Sequence, residues 1–223
     1  MINIIYEDEY FIAINKDAGI EVDNNLIKLI KSIKEENNKI EENQNIKNLF
    51  LVHRIDKYTS GIVILAKDEN IKKYFEDAFK NRNINKIYHA IVEGIVKNKK
   101  GTINLSIGKD KKNPNKRMIL SVKSGGENAI TNYEVLKRLK EHTLMKLNPI
   151  TGRTHQIRVH LSSIGHPIIG DKIYSKNAKI YKMKSFALIA KEIHFIHPIT
   201  KKNFDIIVEY NKEFLSRLKL LEI

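Results

Sequence analysis

Two polar segments of the chain place charged side chains at spacings that could support chemistry. The first, residues 53–67, reads HRIDKYTSGIVILAK, so that Asp56 lies in a polar turn just before an apolar strand. A carboxylate on a turn between buried strands is held by a rigid scaffold and is still reachable, which suits catalysis. The alternative role is structural, because aspartate commonly caps or closes such a turn.

The second segment, residues 151–171, reads TGRTHQIRVHLSSIGHPIIGD and predicts a short helix over 155–164. Arg153 lies just before this helix, where free backbone N–H groups favour anions. Arg158 follows one turn after His155 on the same side. An arginine that enters a core needs a carboxylate partner, because an unpaired buried charge is costly. Asp56 is the natural candidate for that partner.

The eight histidines also raise the alternative of a metal site. His155 and His160 are five residues apart, which does not place them squarely on one helix face. His194 and His197 lie in a predicted strand, where a spacing of three directs the rings to opposite faces. No carboxylate-rich companion motif is present, so we expect no metal.

The charge balance favours a polyanionic partner. The 223 residues include 40 Lys and Arg against 26 Asp and Glu, giving a net charge of +14 and a pI near 9.7. Twelve basic and two acidic residues lie between Lys80 and Lys123, and the densest part is a Pro- and Asn-containing loop over 109–117. Such a loop could follow a phosphate backbone or simply form a solvated hairpin tip, and the residues leave both open. The basic side chains of this loop considered for contact with phosphates are Lys111, Lys112, Lys116 and Arg117.

Composition excludes several other classes of protein. The chain has no cysteine, which rules out disulfides, zinc ribbons, iron–sulfur clusters and thiol catalysis. No apolar run reaches the roughly 18 residues that a membrane span requires, and the acidic start is unlike a signal peptide. We therefore expect a cytoplasmic protein that forms one domain over residues 1–223.

The elements that would position these residues predict an α+β fold with a mixed, mainly antiparallel sheet. Helices are expected over about 25–35, after an Asp68 N-cap, and over 155–164, with Gly165 ending the last one. The stretch KEENNKIEENQNIKN reads as a polar surface loop or a frayed helix end. Strands are expected at 2–6, 10–14, 50–52, 61–66, 84–93, 101–107, 117–122, 129–139, 143–148, 186–196 and 203–210.

Four ordered motifs resemble the RluA class of pseudouridine synthases. Residues 53–67 resemble the signature H-R-[LI]-D-x-x-T-S-G-[x4]-A-K, and residues 15–19 resemble the N-K-P-A-G element that precedes it. Residues 86–94 resemble K-x-Y-x-A-x-V-x-G, and residues 152–171 resemble G-R-T-H-Q-I-R-x-H with its G-H-P-I-x-G-D continuation. The ending at 197–200 resembles H-P-x-T. The resemblance extends from about residue 3 to residue 210 and is more specific than a lone short pattern.

The resemblance implies a pseudouridine synthase fold, with helices flanking the sheet and a central cleft, and isomerisation of uridine to pseudouridine within rRNA or tRNA. It implies that Asp56 is the catalytic aspartate, that Tyr88 packs on the base and that Arg158 pairs with Asp56. Arg54 would fill the space left by a flipped nucleotide. We also expect RNA contacts from Arg153, His155 and Lys86.

The residue chemistry suits this activity. Breaking a glycosidic bond creates positive character at C1′, which an ionised carboxylate can attack or stabilise. Whether Asp56 forms a covalent sugar adduct or removes the 2′ proton through a glycal stays open. No cofactor is expected. An RNA chaperone without turnover and a metal-dependent phosphohydrolase are the alternatives.

Two departures from the family pattern stand out. Asp17 replaces the proline of the first element, and Glu21-Val22-Asp23 replaces a common V-H-P, which puts the local turn in question. The chain starts almost at the catalytic domain, so we expect no S4-type RNA-binding domain and a monomer whose catalytic domain alone holds the RNA. The sequence does not specify which RNA or which uridine.

Overall fold

The computed structural model describes residues 1–36 and 48–222. The predicted polar loop therefore lies mostly outside the described residues. Four helices are described: α1 (Asn24–Glu36), α2 (Glu69–Lys80), α3 (Gln156–Ser163) and α4 (Lys212–Glu222). The strands are β1 (Ile2–Glu7), β2 (Phe11–Lys16), β3 (Phe50–Leu51), β4 (Ser60–Ala66), β5 (Asn85–Glu93), β6 (Lys100–Asn104), β7 (Ile107–Lys109), β8 (Arg117–Ile119), β9 (Ile130–Arg138), β10 (His142–Pro149), β11 (Leu188–Ile196) and β12 (Asn203–Ile207).

The chain forms two compact units. The first contains Met1–Ile84 and Glu192–Val208, and the second contains Asn85–Lys191 and Glu209–Ile223. Strand pairings within each unit are antiparallel. The α+β class with a mainly antiparallel sheet is thereby confirmed. None of the helices in the described residues is long and apolar enough to cross a lipid bilayer.

In the first unit, β2 lies between β1 and β4, and β3 pairs with the end of β4. Every residue of β4 is buried, as expected for its continuous apolar run. The rings of Phe11, Phe75 and Phe195 meet edge to face, with centroids 5.3 to 5.6 Å apart. This packing fixes β2, which pairs with β4 in the sheet, and α2, which follows β4 in the chain.

The predicted N-cap of α2 is confirmed. The carboxylate of Asp68 accepts hydrogen bonds from the backbone N–H groups of Asn70 and Ile71 at 2.8 and 2.9 Å. These are donors that the first turn of a helix otherwise leaves unpaired.

In the second unit, the strand order is β5-β10-β9-β6, and β7 and β8 form a separate hairpin. The single strand expected over 101–107 is in fact β6 and β7, because the first part pairs with β9 and the second with β8. The strand expected over 117–122 ends at Ile119 and is followed by a short 3-10 turn.

Helix α4 was not expected from the sequence. It begins after Asn211, whose side-chain oxygen accepts from the N–H of Phe214 at 2.8 Å, as an N-cap does. Phe214 is buried and stacks on Tyr210 with ring centroids 4.6 Å apart.

Candidate active site

The turn that carries Asp56 belongs to the first unit. Ile55 is buried beneath it, Asp56 is half-buried and Arg54 is exposed. The N–H of Thr59 donates to the carbonyl of Asp56 at 3.0 Å, which closes the turn just before β4. The backbone thus presents two charged side chains, Arg54 and Asp56, from a short and locally bonded segment.

Lys16 supports this turn from below. Its side chain is fully buried, and Nζ donates to the carbonyl of Thr59 at 2.6 Å and of Lys57 at 3.1 Å. The carbonyls of Asp56 and Asp17 lie at 3.4 Å from the same nitrogen. A buried ammonium requires several acceptors, and here backbone oxygens of the turn supply them. Lys16 therefore fixes the position of the backbone that carries Asp56.

Burial lowers the pKa of Lys16 to about 8, and the nearby carboxylates of Asp56 and Asp17 oppose this change. Desolvation disfavours the charged form of a lysine, whereas an anion nearby favours it. The Asp56 turn is thus built over a cation whose proton is held less firmly than that of an exposed lysine.

The residue that replaces the family's proline is accommodated by a hydrogen bond. The N–H of Asp17 donates to the carbonyl of Met1 at 3.0 Å, a bond that proline could not make. Two residues later, the N–H of Gly19 donates to the carbonyl of Lys57 at 2.8 Å. The 15–19 segment therefore still contacts the Asp56 turn despite the substitution.

Arg158 lies on α3 in the second unit and pairs with Asp171. Nε donates to Oδ2 at 2.7 Å and an η nitrogen donates to Oδ1 at 3.0 Å. The arginine side chain is 5% exposed and the carboxylate is fully buried. A bidentate pair of this kind fixes the plane of the guanidinium.

Neighbouring groups hold both members of this pair. Oδ1 of Asp171 also accepts from the N–H groups of Ile173 and Tyr174, which fixes the carboxylate to its own turn. The guanidinium carbon lies 5.0 Å from the ring centroid of Tyr174 and 4.5 Å from that of Phe186. The sequence suggested Asp56 as the carboxylate partner of Arg158 and overlooked Asp171. Pairing with Asp56 stays a prediction.

The start of α3 is fixed by buried hydrogen bonds. Gln156 accepts from Thr151 Oγ1 at 2.6 Å and donates to Thr131 Oγ1 at 3.0 Å. His160 is fully buried, and its Nε2 donates to the carbonyl of Leu105 at 2.9 Å, so Nδ1 accepts from Thr131. Burial lowers the pKa of His160. The neutral ring therefore joins α3 to β9 and to the end of β6.

The other predicted histidine of this segment has a different contact. His155 precedes α3 in a left-handed conformation, with φ of 59°, and its Nδ1 is 2.9 Å from the hydroxyl of Tyr174. In residues 1–36 and 48–222, no cluster of three or more histidine, aspartate or glutamate side chains has the arrangement of a metal site. His155 is instead joined to the turn that also holds Asp171.

Tyr88 and Lys86 lie two residues apart on β5, with both side chains half-buried, so they occupy the same face of the strand. Tyr88 is paired in register with Leu147 of β10. Asn148 donates to the carbonyl of Lys86 at 3.0 Å. Burial lowers the pKa of Lys86.

The basic loop between β7 and β8 has a defined shape. Asp110 accepts from the N–H of Lys112 at 2.8 Å, and Asn113 accepts from the N–H of Asn115 at 3.1 Å. Lys111 and Lys112 are exposed. These Asx turns order the backbone and leave the lysine side chains at the surface.

Two of the predicted RNA-binding arginines make contacts with nearby protein groups. Arg117 donates to the carbonyl of Pro114 at 3.0 Å, and its own N–H donates to the hydroxyl of Tyr174 at 2.8 Å. Arg153 pairs with Glu127 at 2.5 Å, with both side chains substantially exposed. Tyr174 therefore connects two predicted RNA-binding residues, Arg117 and His155. RNA contact by any of these residues stays a prediction.

Comparison with known proteins gives a consistent result. The RNA pseudouridylate synthase family matches residues 10–163. The chain is 35% identical to the dual-specificity RNA pseudouridine synthase RluA of Vibrio cholerae over 198 residues, which cover 88% of this chain and 78% of the relative. It is 36% identical over 211 residues to the uncharacterized RNA pseudouridine synthase YhcT of Bacillus subtilis, covering 89% of this chain and 65% of the relative. The ribosomal large subunit pseudouridine synthase D of Zymomonas mobilis is 32% identical over 236 residues, covering 100% of this chain and 73% of the relative.

Solved structures agree on the fold. Human RNA pseudouridylate synthase domain containing 4 has a TM-score of 0.79 at 25% identity, covering 98% of this chain and 92% of that one. The corresponding human domain containing 1 has a TM-score of 0.77 at 23% identity, covering 94% and 84%. The family match includes the Asp56 turn, Tyr88 and Arg158. This chain belongs to the RNA pseudouridylate synthase family, the enzymes that isomerise uridine to pseudouridine in RNA.

Proposed function

We propose that this chain converts specific uridines of rRNA or tRNA to pseudouridine and that Asp56 is its catalytic aspartate. The observation that carries the proposal is the clamp on the Asp56 turn. Lys16 binds the carbonyls of Asp56, Lys57 and Thr59, so it fixes the turn through the backbone. A catalytic group is effective when its support is fixed, because its reactive atoms are then held in position for the substrate.

The reaction breaks the N1–C1′ bond of uridine, turns the uracil over and joins C5 to C1′. Asp56 acts on the sugar as positive character develops at C1′, by attack or by stabilisation. Tyr88 offers an apolar ring face to the uracil. Arg158 orients the carboxylate of Asp56, and its own orientation is set by Asp171 and by the rings of Tyr174 and Phe186.

The RNA is bound through basic side chains. Unstacking the target nucleotide costs a few kcal/mol, and contacts with phosphates offset that cost. Arg54 occupies the space that the flipped nucleotide leaves. Further contacts come from Lys86, Arg153, His155 and the loop residues Lys111, Lys112, Lys116 and Arg117. The relatives named as ribosomal large subunit synthases favour rRNA as the substrate class.

The enzyme needs no cofactor in this scheme, since no electron, hydride or phosphoryl group is transferred. We propose further that it acts as a monomer and in the cytoplasm, where rRNA and tRNA are found in bacteria. Sedimentation of the purified protein with and without RNA tests the first of these statements.

The test is substitution of Asp56 by alanine. The Asp56→Ala protein should form no pseudouridine in an unmodified transcript of bacterial large-subunit rRNA, measured by mass spectrometry, while binding the transcript as the wild type does. Glu76→Ala, which removes an exposed carboxylate of α2, should retain turnover. Full modification by Asp56→Ala would contradict the proposal, and so would full turnover of the wild type only in the presence of an added metal.

A further inference from the structure

The hairpin of β7 and β8 and helix α3 border an open surface cavity. Ile107 and Val159 are buried in a small apolar cluster on which Ile119 and Tyr174 pack. Beside this cluster lies a cavity of about 400 Å³ between β8, α3 and residues 173–176. Its volume is within the range of pockets that hold small molecules or single chemical groups of larger ones.

The walls of the cavity are apolar and its charged groups are cationic. Met118, Ile119, Val159 and Ile173 provide the apolar surface. Lys116, Arg117 and Lys176 also line it, together with hydroxyls of Ser162, Ser163 and Ser175. Among the described residues that line the cavity, none is acidic. Two carboxylates bond to lining residues from outside the cavity: Glu93 accepts from Ser175 Oγ, and Asp171 accepts from the N–H groups of Ile173 and Tyr174.

The walls are held in place by hydrogen bonds between separate segments. The N–H of Arg117 in β8 donates to the hydroxyl of Tyr174 at 2.8 Å. Ser162 on α3 donates to the carbonyl of Tyr174 at 3.2 Å. Both hairpin and helix are thereby joined to the same residue, and the cavity keeps its shape without a ligand. A preformed cavity binds with a smaller loss of conformational entropy.

We propose that this cavity holds one unstacked nucleotide of the RNA, separate from the uridine that reacts. The base lies against Met118, Ile119 and Ile173, and its phosphate is held by Lys116 and Lys176. This rests on the proposed function, since RNA is the occupant. Proteins that bind single-stranded RNA also place a surface that contacts a base beside cations that contact the backbone, and Tyr174 is the aromatic side chain of this lining.

Charge complementarity favours RNA over a peptide. Lys116 and Lys176 line the cavity, and the exposed Lys111 and Lys112 belong to the same β7–β8 loop as Lys116, so a strand that follows this loop meets further cations. An apolar peptide would gain nothing from these charges. A nucleotide uses both the walls and the cations.

The test fills the cavity without changing its charge. Ser163 is an exposed serine of α3 whose hydroxyl bonds to a carbonyl of its own helix, and Ser163→Phe places a ring over the cavity. Ser32→Phe is the matched control, since Ser32 is an exposed serine of α1 with the same type of bond. Binding of the large-subunit rRNA transcript is measured over a range of salt concentrations. Ser163→Phe should raise Kd about fivefold or more with an unchanged salt slope, and Ser32→Phe should not.

A second variant reports on the cations. Lys176→Ala should weaken binding and lower the salt slope by about 1, whereas Lys219→Ala on α4 should do neither. Wild-type affinity in a folded Ser163→Phe protein would overturn the proposal, even if Lys176→Ala weakens binding, because the surface would then act only through its charge. These readouts do not require turnover. Absence of pseudouridine formation by the wild type would defeat the proposed function and leave the cavity result standing.

Photocrosslinking supplies an independent measurement. A benzoylphenylalanine at position 118 should crosslink to one or two adjacent nucleotides of the transcript, identified by reverse transcription. Crosslinks spread over many unrelated nucleotides, or to none, would contradict a specific nucleotide site.

Discussion

Arg158 and Asp171 form a bidentate ion pair in which both side chains are buried, with N–O distances of 2.7 and 3.0 Å. Because Asp171 also accepts two backbone N–H groups, the guanidinium is attached to a rigid turn rather than to a mobile side chain. The residue expected to orient the catalytic carboxylate therefore has its own fixed support.

This pair predicts a large loss of stability when it is broken. Asp171→Ala leaves the Arg158 guanidinium without its bidentate partner, and we expect the free energy of unfolding to fall by about 3–5 kcal/mol. Glu127→Ala removes a carboxylate from the exposed pair with Arg153 and should cost less than about 1 kcal/mol. Urea denaturation measures both. Equal losses in the two variants would contradict the structural role of Asp171.

Lys16 predicts a loss of turnover without a loss of RNA binding. In Lys16→Met the carbonyls of Lys57 and Thr59 lose their donor, the Asp56 turn shifts, and kcat should fall by about 100-fold. The matched control is Lys34→Met, because Lys34 is also a buried lysine but pairs with Glu7. At a temperature where both variants are folded, the control should keep its kcat. A normal kcat in Lys16→Met would show that the Asp56 turn keeps its conformation without hydrogen bonds from Lys16.

The low pKa of Lys16 predicts a dependence of stability on pH. Its pKa is about 8 in the folded protein and 10.5 ordinarily, so between these values the unfolded chain binds more protons. The contribution of Lys16 to the free energy of unfolding must then rise with pH over this window, and it is lost as pH falls through 8. The free energy of unfolding of the wild type, measured relative to that of Lys16→Met, should rise by about 2 kcal/mol from pH 7.5 to pH 10. A difference that stays flat or shrinks would show that burial does not disfavour the ammonium.

We expect the hydroxyl of Tyr174 to affect RNA binding indirectly, through the two residues that it contacts. Tyr174→Phe removes the hydroxyl that accepts from the N–H of Arg117 and contacts His155. The hairpin and the start of α3 lose a shared support, and KM for RNA should rise about 3- to 10-fold at unchanged kcat. Tyr181→Phe is the control, since it also loses a contact with a histidine, His142, at 3.0 Å. A shift of KM in both variants would point to a general loss of stability.

The basic loop predicts a change in the salt dependence of binding. Replacing Lys111 and Lys112 by alanine should lower the salt slope by about 1 for each lysine, with kcat unchanged at saturating RNA. Lys73→Ala removes an exposed charge from α2, which is not part of the basic loop, and serves as the control. An unchanged slope in the double variant would mean that the loop is only a solvated hairpin tip.

The sequence predicted those elements whose determinants are local. The Asp68 cap and the left-handed Gly165 after α3, with φ of 83°, depend on neighbours within a few residues. The division of the expected 101–107 strand does not. Leu105 lies at the break, and its carbonyl accepts from His160, which is 55 residues away in the chain. No local pattern contains that contact.

In the candidate site, too, the sequence predicted the local feature and missed the long-range contacts. Asp56 was identified because its turn has a local and recognisable spacing of residues. The roles of Lys16 and Asp171 were missed, although both lie within motifs noted in the sequence. Lys16 acts on a carbonyl 43 residues later, and Asp171 meets Arg158 only because residues 171–174 form a turn that caps its carboxylate.

The arrangement around Nζ of Lys16 has a consequence in coordination chemistry. Carbonyl oxygens at 2.6 to 3.4 Å from a single positive centre resemble the shell that proteins build for a monovalent cation such as potassium. Here the cation is the ammonium of Lys16, which is covalently attached to the chain, so it can neither exchange with the medium nor be diluted out. We therefore expect the order of the Asp56 turn not to depend on the salt around the enzyme, whereas RNA binding through the basic side chains should weaken as salt rises.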